Sequence, residues 1–297
     1  MVANFNHAYY TRNSDYILGT GAYGDVTKAT AKEEHVQDLR REGLPEELAV
    51  KITKWRDKDC KHKNSEFLLI KKGFKFEHKN IVRVFHISVD KMINVEWTRQ
   101  TIWMELCEQD LKEFQKRNKI LLPGVRHVLK SILDGLAYIH DNGVIHRDLK
   151  EANVLLKKMS DSYSEPVLNY NIKLGDFNIS KHQENKRCMT NTEKMGTESY
   201  RAPEVSELKN EKCMYGLSAD IWSLGILGFR LWTGKKFPII VGKSGDEAEI
   251  RTQLEKIQED ELKNFLKHCL RVNQAERYTA AQLLDHAFLK KRTSNWK

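Results

Sequence analysis

The chain has 297 residues, 40% of them hydrophobic and 31% charged, which excludes a wholly disordered chain and fits a globular protein able to bury a sizeable core. The formal net charge of +9 favours acidic partners such as phosphates, nucleic acid or acidic protein surfaces, and says nothing about fold. The length corresponds to about two domains.

Residues 1–12 are polar and lack a signal-peptide core. The chain starts Met-Val and ends SNWK, so myristoyl and prenyl signals are not expected. Residues 15–30 read as two β segments around a glycine-rich turn, Gly19-Thr20-Gly21-Ala22-Tyr23-Gly24. Residues 32–47 are highly charged and read as a surface insertion, helical at 32–41. Leu48 to Thr53 is an apolar strand, and Glu66 to Lys72 carries a helical pattern. Two further strands are expected near 81–89 and 99–106. Beyond residue 110 the pattern turns helical, over 111–116, 125–141, 218–232, 247–257, 259–271 and 279–286, with short strands between 144–156 and at 171–175. Residues 157–170 read as a loop. The run Ile221 to Phe229 is too short to span a bilayer and reads as a buried helix, so no membrane association is expected.

The five cysteines are scattered, with no C-x-x-C pair, which supports neither a zinc ribbon nor a redox motif. Scattered thiols fit a reducing compartment, hence an intracellular protein of the cytoplasm or nucleus. His268-Cys269 reads as a buried helix end. The basic run 51–63 reads as a solvated face. Without aromatic interleaving, nucleic-acid binding rests on charge alone.

Glycines let a backbone approach phosphates and aim N–H groups at them. A lone G-x-G-x-x-G is a weak signal. Here a strand-like Val26-Thr27-Lys28-Ala29 follows it, where a dinucleotide fold would place a helix. Lys51 lies inside the apolar strand Ala49-Val50-Lys51-Ile52, and a buried ammonium needs anionic company. ATP phosphates and Glu66 are candidates to supply it, although either residue alone is commonly a plain surface charge.

The strongest string is His146-Arg147-Asp148-Leu149-Lys150-Glu151-Ala152-Asn153, which matches H-R-D-L-x-x-x-N throughout. Asp148 is placed to accept a hydroxyl proton, Lys150 to neutralise a transferring phosphate, and Asn153 to hold a divalent cation through a hard oxygen. Asp176-Phe177 offers a second metal carboxylate, and Gly196-Thr197 precedes Ala202-Pro203-Glu204.

In their order these motifs make the chain resemble a eukaryotic protein kinase catalytic domain over roughly residues 14–290, with short tails at 1–13 and 291–297. The resemblance implies an α+β, bilobal fold: a small β-rich N-lobe with one main helix (about 14–106) and a larger, mainly helical C-lobe (about 107–290). It implies ATP and Mg²⁺ as cofactors, and transfer of the γ-phosphate to Ser or Thr hydroxyls of a protein substrate. Gly19, Thr20, Gly21, Ala22, Tyr23, Gly24, Val26, Ala49 and Leu155 would surround the nucleotide. Lys51 would contact its phosphates and pair with Glu66. Met104 resembles the gatekeeper, with Glu105 to Cys107 as the hinge and Asp110 at the ribose. Asp148 would be the catalytic base, and Asn153 and Asp176 the metal ligands. Asp220 resembles the aspartate that braces the catalytic loop, and Arg277 the partner of Glu204. Lys150 and GTESYRAPE are similar to Ser/Thr kinases, while the subfamily stays open.

Family members with an arginine at Arg147 often pair it with a phosphate in the activation segment. Thr190 and Thr192 lie at suitable positions, with Lys181 able to share the charge, although loop threonines are common. A separate regulatory protein is a further candidate partner. Asn178 stands where the family usually has glycine. Asparagine tolerates positive φ at a cost of about 1 kcal/mol, so an active enzyme is expected rather than a pseudokinase-like scaffold.

Overall fold

The computed structural model describes residues 5–21, 24–56, 65–91, 97–177, 180–182, 189–191, 196–206, 213–237 and 246–290. The chain divides into two compact units, Met1–Glu108 and Gln109–Lys297.

The first unit is built on β1 (Tyr10–Gly21), β2 (Gly24–Ala31), α1 (Val36–Arg41), β3 (Glu47–Arg56), α2 (Ser65–Lys71), β4 (Val84–Lys91) and β5 (Trp97–Glu105). The strands form an antiparallel sheet in the order β1-β2-β3-β5-β4, so β3, the strand with the apolar run around Lys51, has a hydrogen-bonded neighbour on each side. That position suits its sequence, since an interior strand meets little solvent. β1 starts before the glycine-rich segment and is bulged between Asn13 and Ile17 and between Ile17 and Gly19.

The insertion at 32–47 is not merely a surface addition. Leu39 of α1 is fully buried and Leu44 nearly so, in a cluster with Tyr10, Ala29, Leu48, Val50, Phe85 and Trp103. The Tyr10 hydroxyl donates to Pro45 O at 2.8 Å and ties the insertion to β1. Two leucines in a charged stretch are enough to dock it, because burying one such side chain is worth about 2 kcal/mol.

The second unit opens with β6 (Gln109–Asp110), α3 (Leu111–Arg117) and α4 (Leu122–Asp141). There follow β7 (Val144–Ile145), β8 (Val154–Lys158), β9 (Tyr170–Leu174), β10 (Lys181–His182), β11 (Met189–Asn191), α5 (Pro203–Ser206) and β12 (Cys213–Tyr215). The chain then becomes helical through α6 (Ser218–Thr233), α7 (Asp246–Glu255), α8 (Asp260–Cys269), α9 (Ala280–Leu284) and α10 (Ala287–Lys290). Val125, Val128, Leu129, Ile132, Leu133, Leu136 and Ile139 give α4 one buried stripe at helical spacing. α6 is buried nearly all round, as its sequence requires, and runs through the interior of this unit. No described helix is long and apolar enough to cross a membrane.

The segment 157–170 is shorter as a loop than its composition suggests. β8 continues to Lys158, and a 3-10 turn over Pro166–Asn169 leads into β9. Glu165 turns inward, where its Oε1 accepts the Leu121 N–H at 3.3 Å before the first turn of α4.

Candidate active site

In the first unit the register of β3 fixes four of the sequence-predicted residues, Lys51, Val26, Ala49 and Met104. Lys51 sits opposite Val26 on β2 and Ile102 on β5, and Ala49 opposite Met104. Lys51 is 7% exposed, and its ammonium lies 3.5 Å from Oε1 of Glu66, at the start of α2. Glu66 is itself buried, and its Oε2 accepts from Gln100 Nε2 at 3.4 Å. A buried charge is tolerated when paired and hydrogen-bonded, so strand, helix and Gln100 hold one another's polar groups.

The glycine-rich segment closes the β1–β2 hairpin, pairing Gly19 with Val26, Thr20 with Asp25 and Gly21 with Gly24. Gly24 has φ +121°, and a Cβ there would stand 2.0 Å from Ile52 O. Only glycine lets the hairpin lie this close to β3. Ala22 and Tyr23 lie outside the described residues. At the end of β5, the Glu105 N–H donates to Arg83 O at 2.9 Å, and Cys107 is half-buried.

In the second unit the sequence between β7 and β8 carries the H-R-D-L-x-x-x-N string. Arg147 adopts φ +72°, a left-handed conformation that costs about 1 kcal/mol. Asp220, on α6, holds it there. Its Oδ1 accepts the Arg147 N–H and its Oδ2 the His146 N–H, both at 2.9 Å, and Oδ2 also meets His140 Nε2 at 2.9 Å. Burial alone would push the Asp220 carboxyl up, but His140, His146 and the Arg147 amide together hold it below the usual carboxylate range. His146 is fully buried, bonds Gly175 O through Nε2 at 3.0 Å and packs its ring on Phe177. It is a structural histidine, buried and bonded within the fold.

Asp148 projects from this loop into a set of donors. Its Oδ2 accepts from Lys150 Nζ at 2.7 Å and from Asn153 Nδ2 at 3.0 Å. Its Oδ1 accepts from the Thr197 hydroxyl at 2.7 Å and the Thr197 N–H at 3.0 Å. Lys150 also donates to Thr197 Oγ1 at 2.9 Å. Burial pushes the Asp148 carboxyl up, yet the hydrogen bonds from Lys150 and Thr197 outweigh it and leave the pKa lowered. The group is therefore ionised at neutral pH and fixed in orientation. Gly196 permits the approach: it has φ +82°, and a Cβ would lie 2.4 Å from Arg147 O.

The β8–β9 hairpin places Asn153 beside Gly175, the residue that precedes Asp176. Val154 pairs with Leu174, so the residues just outside the pair are neighbours, and the Gly175 N–H donates to Asn153 O at 2.9 Å. Asp176 has φ +61°. Leu155 pairs with Asp110, whose side chain caps α3 by accepting the Glu113 N–H at 2.8 Å. A carboxylate and an amide are hard oxygen donors suited to Mg²⁺. Among the described residues no cluster of three or more His, Cys, Asp or Glu forms a complete protein cage.

Two further clusters involve residues that the sequence motifs left unassigned or only suggested. The Glu151 carboxylate accepts from the Tyr200 hydroxyl and, at 2.7 Å, from Arg230 Nε of α6. The Arg230 guanidinium also lies 5.1 Å from the centre of the Tyr200 ring. Burial, with Glu151 beside it, pushes the Tyr200 hydroxyl pKa up. Arg277 binds Glu204 in a bidentate pair, 2.7 Å at each contact. The resemblance anticipated this pair, whereas Gln100, Tyr200 and Arg230 carried no sequence signal. Asn178, Thr192 and the side chains of Thr190 and Lys181 lie outside the described residues; the backbone of Thr190 pairs with Met214.

The family model of the protein kinase domain matches residues 12–289. The chain belongs to the protein kinase family. It is 32% identical to mitogen-activated protein kinase kinase kinase 4 of Mus musculus over 92% of its length, covering 16% of that protein. It is 30% identical to serine/threonine-protein kinase 33 of Bos taurus, over 92% of the chain and 54% of the relative. The meiosis-specific serine/threonine-protein kinase mek1 of Schizosaccharomyces pombe is 28% identical over 74% of the chain and 48% of the relative. The kinase chain thus spans between a sixth and about half of the length of these relatives.

Proposed function

We propose that this kinase domain, at about 14–290, transfers the γ-phosphoryl group of ATP to Ser or Thr hydroxyls of a protein substrate. The observation that carries the reading is the Asp148 carboxylate, ionised and oriented by Lys150, Thr197 and Asn153, with Asn153 O in turn accepting the N–H of Gly175, the residue before Asp176. The acceptor oxygen attacks the γ-phosphorus in line as the bond to the bridging oxygen of ADP breaks. Asp148 accepts the hydroxyl's hydrogen bond and takes its proton. The hydrogen bonds from Lys150 and Thr197 that lower its pKa also fix its orientation toward the acceptor. Lys150 neutralises charge on the moving phosphoryl group. Lys51, oriented by Glu66, holds the other phosphates, and the Gly19–Gly24 hairpin offers them its N–H groups. Val26, Ala49, Met104, Leu155 and the segment Glu105 to Cys107 take the base, and Asp110 the ribose.

Asn153 and Asp176 would hold Mg²⁺, which supplies neutralisation of phosphate charge. Lys150, bonded to both Asp148 and Thr197, favours a Ser/Thr acceptor, as do the names of the relatives. Phosphorylation at Thr190 or Thr192, paired with Arg147, is the control point of this reading, and a separate regulatory protein its second input. The scattered thiols support a reducing, intracellular setting, in cytoplasm or nucleus. Phosphoamino-acid analysis after Mg²⁺-dependent transfer from labelled ATP to a mixed protein substrate tests the acceptor class. Phosphoserine and phosphothreonine are expected; phosphotyrosine alone would overturn it.

A further inference from the structure

We propose that Glu151 is a positioning residue for the protein acceptor, acting through Tyr200. The proposal rests on the kinase reading above. Lys150 and Glu151 are consecutive, and each holds a different point on the same downstream segment. Lys150 binds Thr197 at 2.9 Å, and Glu151 binds the Tyr200 hydroxyl. The first holds the Thr197 end and the second holds the Tyr200 side chain at the other end, so together they fix the orientation of residues 197–200 against Asp148. Between the two anchors Glu198 and Ser199 are exposed, so the clamp sets an accessible edge beside the catalytic carboxylate.

The device is specified by charge. Glu151 and Tyr200 are 4% and 6% exposed, and a carboxylate so buried needs full compensation. Arg230 supplies it from α6, through the 2.7 Å contact and by lying over the Tyr200 ring. Ser223 of the same helix donates to Tyr200 O at 2.8 Å, so the anchor is itself anchored. A segment needing only to be buried would do with an apolar side chain at 151. The ionic arrangement instead gives Tyr200 one permitted place.

The test uses the whole chain, dephosphorylated casein as acceptor, and Glu151→Gln and Tyr200→Phe variants. Tyr200→Phe removes a single hydroxyl and serves should Glu151→Gln fold poorly. Two rates are measured, phosphate transfer to casein and ATP hydrolysis by water without casein. Misplacing an acceptor by a fraction of an ångström costs about tenfold or more in transfer, while water needs no such edge. The ratio of transfer to hydrolysis is therefore expected to fall about tenfold in both variants. An unchanged ratio, with both rates intact or both reduced in parallel, would overturn the proposal and leave the kinase reading standing. Wild type and Asp148→Asn equally silent toward casein would overturn both.

Discussion

Thr197 donates both its hydroxyl and its backbone N–H to Asp148 Oδ1, at 2.7 and 3.0 Å. The two donors come from one residue, so the carboxylate cannot rotate without losing both. Thr197→Ala removes the side-chain donor, a hydrogen bond to a charged group worth about 1.5–3 kcal/mol. Phosphate transfer is expected to fall by roughly tenfold or more, with thermal stability less affected, and Thr197→Ser to restore it. Steady-state kinetics of the two variants check this.

Gly24 and Gly19 belong to the same hairpin but face different surroundings. A Cβ at Gly24 meets Ile52 O at 2.0 Å, whereas at Gly19 nothing lies within 4 Å. Gly24→Ala is expected to push the hairpin off β3, lowering the melting temperature by several degrees and weakening nucleotide binding. Gly19→Ala should change stability by no more than about 1 kcal/mol. Thermal melts with and without ATP separate the two.

Asp148 and Asp220 both have lowered pKa values in the fold. A depressed carboxylate adds stability that is fully present above its unfolded pKa, about 3.9, and is lost as pH falls through the folded value. The melting temperature should therefore hold between about pH 5 and 8 for these groups and drop below about pH 4. Asp220→Asn should flatten part of that acid limb, because the amide cannot titrate. Melting curves across pH in both proteins measure the difference.

The parts legible in the sequence were those whose residues are close along the chain or lie in regular elements. His146 to Asn153 is one short string, and Lys51 betrayed itself as a charge in an apolar strand. The clamp around Glu151 was not legible, because Tyr200 lies 49 positions away and Arg230 79 positions away. No periodicity links them. Gln100 was missed for a related reason: a polar residue on an interior strand signals nothing until its carboxylate partner is seen. The insertion at 32–47 misled by composition, since its charges hide the two leucines that dock it.

The central claim is that this domain is a working enzyme despite asparagine at Asn178. The direct measurement is Mg²⁺-dependent transfer of labelled phosphate from ATP to Ser/Thr substrates, wild type beside Asp148→Asn. The account predicts transfer by wild type and a loss of at least about a hundredfold in the variant, as expected for removing a positioned acid–base group. Equal transfer by both proteins, or silence of both with ATP still bound, would contradict it.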